Sequence, residues 1–506
     1  MSAWRGLEAP RLSVAMPEAV RAELESQVTR DDGQEDLTFF LWKPSIGRSR
    51  ATALVTAAVL PQPSERHVHG NVSFEDDYFL RAAAAASESG SGIGLIHSHP
   101  GGVGWQSMSK DDYAAESGHS AQAEVLTGLP MLGMTYAGGD GHVSARFWQR
   151  RGARTYEPQD CESVRAIGAK LGVSFNPKSR PAPATEPTQS RTVSAWGESV
   201  QADLVRLRVG VIGAGSVGAL VAEGLARIGI RDLMIMDFDT VELHNLDRLI
   251  HATRRDVEDH RSKVEVLAVA LESARSASSF EVSAHELSVV EPQGFELALD
   301  QDVLFCCVDR PWPRAVLNLV AYAHLIPVID GGVAIDVANG RMKGAEWRAH
   351  VAAPGRRCLE CLGQYDPADV GTERLGYLEE PSYIQNLPAD ARRNFAGENV
   401  FNLSMAAAAA ELNQFISMIV APSGIADVGA QLFHFTTGTV DLEAAGCEDG
   451  CLYSTRLLAQ GEATGLEVTG PHPLAARHRA QRDRAVLPPE SHRQSRLRWL
   501  FRRAFG

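Results

Sequence analysis

The sequence predicts a multidomain protein of the α/β and α+β classes, with an N-terminal α+β domain and a C-terminal doubly wound parallel sheet. Three observations support this prediction. The chain has 506 residues, enough for about three domains. A segment at 177–190 holds four prolines in fourteen residues and no large apolar side chain. On either side of that segment, the predicted strands and helices follow one another in a different order.

Composition excludes several classes of protein. Apolar residues make up 44% and charged residues 22% of the chain, as in an ordinary globular protein. The formal net charge is −14, which argues against a general nucleic-acid binder because such proteins need clustered cations. The chain shows no uninterrupted membrane-length apolar run and no signal-peptide core near its start. We therefore expect a cytoplasmic protein without a membrane partner.

The N-terminal part of the chain has the pattern of one compact α+β unit that ends near residue 150. Alternating apolar residues between turn signals predict strands, and runs rich in alanine or charged residues predict helices. The predicted strands cover 11–15, 35–42, 52–59, 92–96, 131–136 and 142–148, and helices begin at 17, 74 and 110.

After residue 204 the pattern changes to apolar strands that alternate with helices. This order is typical of βαβ units and predicts a Rossmann-like parallel sheet. The predicted strands cover 209–212, 232–237, 303–308 and 326–330, with helices from 217, around 263 and from 313. An alanine-rich segment at 404–420 is predicted to be a buried helix.

Two histidines and an aspartate in the N-terminal unit have the spacing of metal ligands. His97 and His99 are two residues apart, and Asp112 follows thirteen residues later. In a strand, residues i and i+2 point to the same side, so both imidazoles can share one ion with a carboxylate from the next helix. Three protein ligands leave a fourth position for water, whose pKa falls to about 7 on zinc. The pattern therefore predicts a hydrolytic zinc site.

These residues resemble the JAMM or MPN-plus (Mov34/PAD-type) metalloproteases, in which a distant Glu precedes H-x-H and S-x-x-D. The resemblance implies a zinc-dependent, deubiquitinase-like peptidase domain. It further implies that the zinc ligands are His97, His99 and Asp112, that Ser109 stabilises the oxyanion, and that Glu35 is the general base.

The spacer between the second histidine and the serine departs from the family pattern. The usual seven residues would select Ser107 and would place Lys110 where the carboxylate belongs. A nine-residue spacer rich in glycine selects Ser109 and Asp112 instead, and Asp111 is an alternative ligand.

The general base also has alternatives, because Glu65 and Glu75 lie upstream of the histidines as Glu35 does. The resemblance covers roughly residues 10–150. The competing interpretation of this domain is an inactive relic of the family.

A glycine-rich turn opens the parallel-sheet domain. The sequence VGVIGAGSVG at 209–218 is a predicted strand followed by Gly213, Gly215 and Gly218, and Asp237 follows the last glycine after nineteen residues. Such glycines let the backbone approach a phosphate at a helix N-terminus, and an acid at that distance can bind a ribose hydroxyl. These features predict a nucleotide site but do not by themselves separate ATP from NAD.

The residues that follow resemble the adenylyltransferases of the ThiF, MoeB and ubiquitin-activating type. The resemblance runs from about 191 to 455. It implies that Asp237 binds the ATP ribose, that the phosphates are held by Asn245, Arg248 and Lys263, and that Asp309 positions Mg²⁺.

Two positions in this resemblance need comment. Lys263 lies two residues further from Arg248 than is usual, which leaves Arg261 as an alternative. Arg191, six residues before Gly197 as in the opening motif of the family, is implied to reach into the partner subunit of a homodimer. An NAD(P)-dependent oxidoreductase needs the glycines but not three phosphate-facing cations, and it is the alternative.

Four of the seven cysteines form two closely spaced pairs. Cys358 and Cys361 are separated by 85 residues from Cys447 and Cys451, and four thiolates make a closed, structural zinc site. No cysteine lies between the pairs, so we expect no thioester in that segment. The two cysteines in the predicted strand 303–308 are expected to be buried core residues.

The predicted organisation has four parts: a JAMM-like domain at 1–155, a linker at 156–190, a ThiF-type domain at 191–455, and a solvated Arg-rich tail at 456–506. We interpret the chain as a bifunctional enzyme that uses two zinc ions, one catalytic and one structural, together with ATP and Mg²⁺. The expected partners are a ubiquitin-like or sulfur-carrier β-grasp protein and a thiol-bearing acceptor or conjugating protein. A regulatory scaffold without turnover is the alternative of another class.

Overall fold

The computed structural model describes residues 9–69, 71–152, 155–386, 398–443 and 445–486. Within these ranges two large sheets divide the chain into an N-terminal and a C-terminal domain. The predicted α+β and doubly wound classes therefore correspond to two separate sheets.

The N-terminal domain is built on a nine-stranded sheet. Its strands are β1 (Arg11–Pro17), β2 (Leu37–Ile46), β3 (Arg50–Val59), β6 (Gly92–His99), β7 (Leu132–Ala137), β8 (Val143–Arg150), β9 (Tyr156–Asp160), β10 (Ser163–Ile167) and β11 (Leu171–Phe175). A separate hairpin contains β4 (Arg66–His69) and β5 (Asn71–Phe74), and the helices are α1 (Glu18–Val28), α2 (Asp76–Glu88) and α3 (Lys110–Thr127). The order across the sheet is β11-β10-β1-β3-β2-β6-β7-β8-β9.

The C-terminal domain is built on an eight-stranded sheet. Its strands are β12 (Arg208–Ile212), β13 (Asp232–Met236), β14 (Glu281–His285), β15 (Val303–Cys306), β16 (Val328–Ala338), β17 (Arg341–Ala352), β18 (Ala430–His434) and β19 (Thr439–Glu443). The first five are parallel to their neighbours in the order β14-β13-β12-β15-β16, and the last three continue the sheet in antiparallel pairs. The sheet is therefore mixed, whereas the sequence predicted a parallel one.

Helices lie before, between and after these strands. They are α4 (Ser190–Trp196), α5 (Glu198–Leu204), α6 (Ser216–Ile228), α7 (Arg254–Glu258), α8 (Lys263–Ala274), α9 (Pro292–Leu299), α10 (Pro311–Ala323), α11 (Pro367–Arg374), α12 (Pro381–Asn386), α13 (Phe401–Val420) and α14 (Pro473–Val486). The apolar helix α13 has the length and composition of a membrane span, but 56% of its most apolar window is buried inside the protein. It packs against α6, β16 and β17, which accounts for its apolar character.

The predicted linker at 156–190 differs from the structure over its first twenty residues. Strands β9, β10 and β11 lie within 156–175 and belong to the N-terminal sheet. Short strands with exposed polar positions leave a weak apolar signal, although Ile167 and Phe175 are buried. The N-terminal domain therefore ends near residue 175, and only the proline-rich segment that follows connects the domains.

The two domains share a buried and charged interface. The side chain of Arg50 has no exposed surface, forms an ion pair with Asp302 and donates to the Leu299 carbonyl oxygen at 2.9 Å. Arg208 donates to the Glu162 carboxylate at 3.0 Å. Because separating the domains would leave these charges without partners, the domains form one packed unit.

The interface also fixes which way each domain faces. Arg208 opens β12 and Asp302 precedes β15, so the interface lies at the N-terminal ends of the parallel strands, and their C-terminal ends face away from it. In the N-terminal domain, the Ile46 N–H donates to the Glu462 carboxylate of the C-terminal domain at 3.0 Å, so this end of β2 lies at the interface. From Ile46, strand β2 runs back to Leu37 over nine residues, roughly 30 Å at about 3.3 Å per residue.

The predicted solvated tail at 456–506 is also corrected in part. Helix α14 packs on the C-terminal domain, where Ala475 has no exposed surface and Arg479 donates to Glu291 at 3.0 Å. Arginines within a helix can pair with acidic side chains of the domain, which composition alone does not reveal. The remaining arginines at 493–503 lie outside the described residues.

Candidate functional site

The three predicted zinc ligands of the N-terminal domain converge at the end of β6. His97 and His99 are separated by 3.3 Å between their Nε2 atoms. The Asp112 carboxylate lies 3.4 Å from His97 Nε2 and 3.5 Å from His99 Nε2. Ligand atoms roughly 2.0–2.2 Å from a tetrahedral ion are about 3.3–3.6 Å from each other. The donor types and their separations therefore fit a zinc ion.

The start of α3 places the aspartate. Ser109 is the N-cap of this helix, and its hydroxyl accepts a hydrogen bond from the Asp112 backbone N–H at 3.1 Å. The Asp112 carboxylate accepts from the Ser109 N–H at 2.7 Å in return, which completes a capping box. The exposed Ser109 hydroxyl keeps its own proton for a further acceptor. The alternative ligand Asp111 is exposed and lies outside the cluster, and Ser107 is also exposed.

Glu35 is the one of the three candidate bases that lies opposite His99 in the sheet register. Leu37 pairs with His97 across the β2–β6 ladder, and continuing this register brings Glu35 opposite His99. A hydrogen bond with Asp112 raises the pKa of His99, and the negative charge of Glu35 adds to this shift.

The two alternative bases are engaged elsewhere. Glu65 forms an ion pair with Arg81, and this hydrogen bond lowers the pKa of Glu65. Glu75 is 2.7 Å from His67. Glu35 is therefore the best placed of the three candidates.

Two side chains beside the histidines were not predicted. The Gln106 side-chain oxygen lies 3.2 Å from His99 Nδ1 and can accept its proton, which would leave Nε2 free for a metal. Thr135 lies 3.5 Å from His97 and accepts from the buried Arg146 at 2.8 Å. Neither residue belongs to a recognisable sequence pattern, so only the fold reveals them.

The glycine-rich turn of the C-terminal domain is held tightly against its neighbours. Gly213 has a φ of +98°, and a Cβ at this position would lie 2.4 Å from the Cys307 carbonyl oxygen. A Cβ at Gly218 would lie 1.8 Å from the Gly213 carbonyl oxygen, whereas Gly215 has open space around it. The first and third glycines are therefore required by packing, and the second leaves room for a ligand to approach.

Asp237 is connected to this turn by hydrogen bonds. Its carboxylate accepts from the Ala214 N–H at 2.7 Å and from the Asp239 N–H at 2.8 Å. Burial raises the pKa of Asp237 to about 6, although the charge of Lys263 opposes this shift. A carboxylate has about four acceptor positions, so two remain for the hydroxyls of a ribose.

Of the predicted nucleotide-binding residues, all but Gly218 line one cavity of about 1150 Å³. They are Gly213, Gly215, Asp237, Asn245, Arg248, Lys263 and Asp309. The alternative Arg261 does not line the cavity and donates to Asp256 at 2.9 Å. Of the two candidate cations, Lys263 is therefore the one that faces the cavity.

Lys263 forms an ion pair with an acid that was not predicted to belong to the site. Its ammonium lies 2.7 Å from the Asp239 carboxylate. Burial alone would lower the pKa of Lys263, but the charges of Asp237 and Asp239 outweigh burial and raise it. Lys263 therefore stays cationic at neutral pH. Asp239 is part of the segment DFD, and its spacing from Asp237 is the signal that could have identified it.

The four paired cysteines come together beside the C-terminal sheet. All four Sγ atoms lie within 4.8 Å of one another, and the Sγ atoms of Cys358 and Cys451 are 3.7 Å apart. Thiolates about 2.3 Å from a tetrahedral zinc ion are roughly 3.8 Å apart, so this set fits zinc as well. A hydrogen bond from Cys358 lowers the pKa of the Cys447 thiol to about 5.

The remaining cysteines near the cavity are not activated. Cys306 is buried in β15, as predicted for a core residue. Cys307 is half-buried at the cavity wall, 3.5 Å from the buried carboxyl of Glu411. Burial raises the pKa of the Cys307 thiol well above its usual value, so this thiol is a poor nucleophile.

Residues 188–414 match the model of the ThiF family, and this part of the chain is a ThiF-family domain. The matched range covers the glycine turn and the cavity residues from Asp237 to Asp309. It does not include the His97, His99 and Asp112 cluster. Arg191, which the same resemblance assigns to a dimer contact, is exposed on α4 and does not line the cavity.

Individual relatives are distant. The chain is 30% identical over 191 residues to the sulfur carrier protein ThiS adenylyltransferase of Bacillus subtilis, which covers 37% of this chain and 53% of that protein. It is 27% identical over 167 residues to ubiquitin-like modifier-activating enzyme 5 of Drosophila willistoni, which covers 30% of this chain and 40% of that enzyme. The matched regions thus span about half, or less, of the length of these relatives.

A solved structure of E. coli MccB with AMPCPP and MccA is 19% identical. It covers 53% of this chain and 74% of that chain, with a TM-score of 0.41. At this TM-score the two chains overlay only loosely.

Proposed function

We propose that the C-terminal domain is an ATP-dependent adenylyltransferase that activates the C-terminal carboxylate of a ubiquitin-like or sulfur-carrier protein. One observation carries this proposal: the glycine turn, a ribose-type acid, two cations, an amide and Asp309 line a single cavity. The match of residues 188–414 to the ThiF family supports it. The names of both relatives reported above describe enzymes that activate a modifier or carrier protein.

The charges of the cavity suit transfer of an adenylyl group. A carrier carboxylate would attack the α-phosphorus of ATP, and the bond from this phosphorus to the bridging oxygen would break as pyrophosphate leaves. Arg248 and Lys263 would offset the negative charge of the phosphates in the transition state. Asp309 is the side chain that would hold Mg²⁺ on them. The product is an acyl-adenylate on the carrier.

We also propose that the N-terminal domain is a zinc peptidase that acts on the same class of carrier, either trimming a precursor or releasing a conjugate. A zinc ion with an open position supplies a bound water of pKa about 7. Glu35 would accept a proton and return it to the leaving amine, and the Ser109 hydroxyl would donate to the oxyanion. The ligand separations of 3.3–3.5 Å support this proposal.

The two sites lie in different domains. The nucleotide cavity is lined by residues of the C-terminal domain, and the histidine cluster lies at the end of β6 in the N-terminal domain.

Calorimetric titration of the full-length protein with ATP and with NADH tests the proposal for the nucleotide site. We expect ATP, in the presence of Mg²⁺, to bind and NADH to show no saturable heat. Tight NADH binding without ATP binding would favour the oxidoreductase alternative. Binding of neither nucleotide would favour the scaffold.

A further inference from the structure

The C-terminal segment crosses the edge of the nucleotide cavity. The Gly470 N–H donates to the Val290 carbonyl oxygen, and the Trp312 indole donates to the Val468 carbonyl oxygen, both at 2.8 Å. Helix α14 then packs on the domain with Arg479, which donates to Glu291 at 3.0 Å. These contacts hold the segment just beyond the C-terminal ends of β14 and β15, where nucleotide bases bind in doubly wound sheets.

His472 in this segment is a polar residue of the cavity wall. Its side chain is only 3% exposed, and it lines the same cavity as Asp237. Its ring centre lies 5.1 Å from that of Phe238 and 5.6 Å from that of Trp312. Its Nδ1 is buried and has no hydrogen-bond partner among the described residues. A buried ring nitrogen without a partner is costly unless a ligand or a water supplies one.

His478, six residues later, bonds to the acid that holds Lys263. Its Nδ1 lies 2.9 Å from one oxygen of Asp239, and the other oxygen of Asp239 lies 2.7 Å from Lys263. A hydrogen bond with Asp239 raises the pKa of His478. The helix therefore shares with Lys263 the carboxylate of Asp239, which is the one in direct contact with the ammonium.

We propose that the segment 470–482 forms the base-binding wall of the nucleotide site. In this proposal His472 contacts the base of a purine nucleotide, and His478 is a positioning residue that acts through Asp239 on Lys263. The inference rests on the proposed nucleotide site and assigns to it a segment outside the ThiF-family match at 188–414. The Nε2 of His472 faces Glu373 at 3.9 Å, and its unpartnered Nδ1 can donate or accept one hydrogen bond with the edge of a purine.

The test compares ATP with inorganic tripolyphosphate, which has the phosphates but no base. Calorimetric titrations use the full-length protein and its His472→Ala, His478→Ala and Arg477→Ala variants, the last being an exposed residue of the same helix. Loss of one hydrogen bond weakens binding by about 0.5–1.5 kcal/mol, or roughly 2- to 12-fold. In the His472→Ala variant we expect this loss of affinity for ATP but not for tripolyphosphate. His478→Ala should weaken both ligands, and Arg477→Ala neither.

Trypsin digestion of the unmodified protein provides a second readout that does not depend on a variant folding. We expect ATP to slow cleavage at Arg479 and Arg482, because a bound nucleotide would hold the helix in place. Faster cleavage with ATP would mean that the helix is displaced, and it would overturn the proposal. Unchanged ATP affinity in His472→Ala would also overturn it. Failure of the unmodified protein to bind ATP would instead contradict the proposed nucleotide site itself.

Discussion

The carboxylate of Asp237 accepts a hydrogen bond of 2.7 Å from the backbone N–H of Ala214. This bond joins the end of β13 to the glycine turn after β12, so the predicted ribose acid also fixes the shape of the predicted phosphate loop. The same carboxylate accepts from the Asp239 N–H at 2.8 Å. Each carboxylate oxygen therefore holds one backbone N–H and keeps one further acceptor position for a ligand.

Replacement of Asp237 by Asn should weaken ATP binding more than the loss of a single ribose contact would. Asparagine replaces one carboxylate oxygen by an NH₂ group that cannot accept, so the site loses one acceptor for the ribose and the turn loses the partner of one N–H group. A lost hydrogen bond to a charged acceptor costs about 1.5–3 kcal/mol. We expect at least a fivefold higher dissociation constant in a calorimetric titration. Asp259→Asn, at the exposed end of α7, is the matched control. Equal affinity for both variants would remove Asp237 from the site.

The buried interface predicts that the two domains unfold together. Asp302→Ala would leave Arg50 and its buried neighbour Arg165 without their carboxylate, and breaking a buried ion pair costs about 3–5 kcal/mol. We expect scanning calorimetry to show one transition that moves to a lower temperature. Asp203→Ala, which removes a half-exposed partner of Arg206, should leave it nearly unchanged. Two transitions, of which only one moves, would show that the domains fold independently.

Much of this architecture could be predicted from the sequence, and the failures have physical reasons. The predicted strands have strong apolar periodicity and begin within two residues of their positions in the structure, whereas β14, β17, β18 and β19 were not predicted. The interface could not be predicted, because Arg50, Arg208 and Asp302 look like surface residues until their partners are known. The role of His478 could not be predicted for the same reason, because it lies in an arginine-rich segment and its partner Asp239 is far away in the sequence. Long-range pairing of charges leaves no local pattern in the sequence.

The residues of the candidate sites divide in the same way, into those that sequence spacing reveals and those that only the fold brings together. His97, His99 and the four paired cysteines follow short ligand spacings, which can be recognised without a structure. Gln106, Asp239 and His472 contact these sites through the fold alone. The choice between Lys263 and Arg261 also depended on the structure, because a two-residue shift at the start of a helix changes which side chain faces the cavity.

Metal analysis should find two zinc ions per chain that differ in lability. The Cys358, Cys361, Cys447 and Cys451 set is closed by four thiolates, whereas His97, His99 and Asp112 leave one position open. A chelator should therefore remove the second ion first. We expect one zinc per chain in His97→Ala and in Cys361→Ser, and two in the control His142→Ala, which lies outside both sets. Two zinc ions in every variant would show that the ligand assignments are wrong.

Glu35→Gln should abolish cleavage after the C-terminal glycine of a ubiquitin-like fusion and leave the zinc content unchanged. The base transfers protons and does not bind the metal, so its loss affects turnover alone, by about 100-fold or more. The comparison is Glu75→Gln, whose side chain contacts His67 instead. Retained cleavage in Glu35→Gln together with lost cleavage in Glu75→Gln would move the base to Glu75.

Exchange of labelled pyrophosphate into ATP is the most direct test of adenylation by this chain. We expect exchange that depends on a β-grasp carrier protein with a free C-terminal Gly-Gly, because the acyl-adenylate step is reversible. Lys263→Ala should reduce the exchange rate by roughly 100-fold, as expected for removal of one charge-stabilising group, whereas Arg261→Ala should retain it. Absence of exchange with any carrier, together with saturable NADH binding, would contradict adenylation.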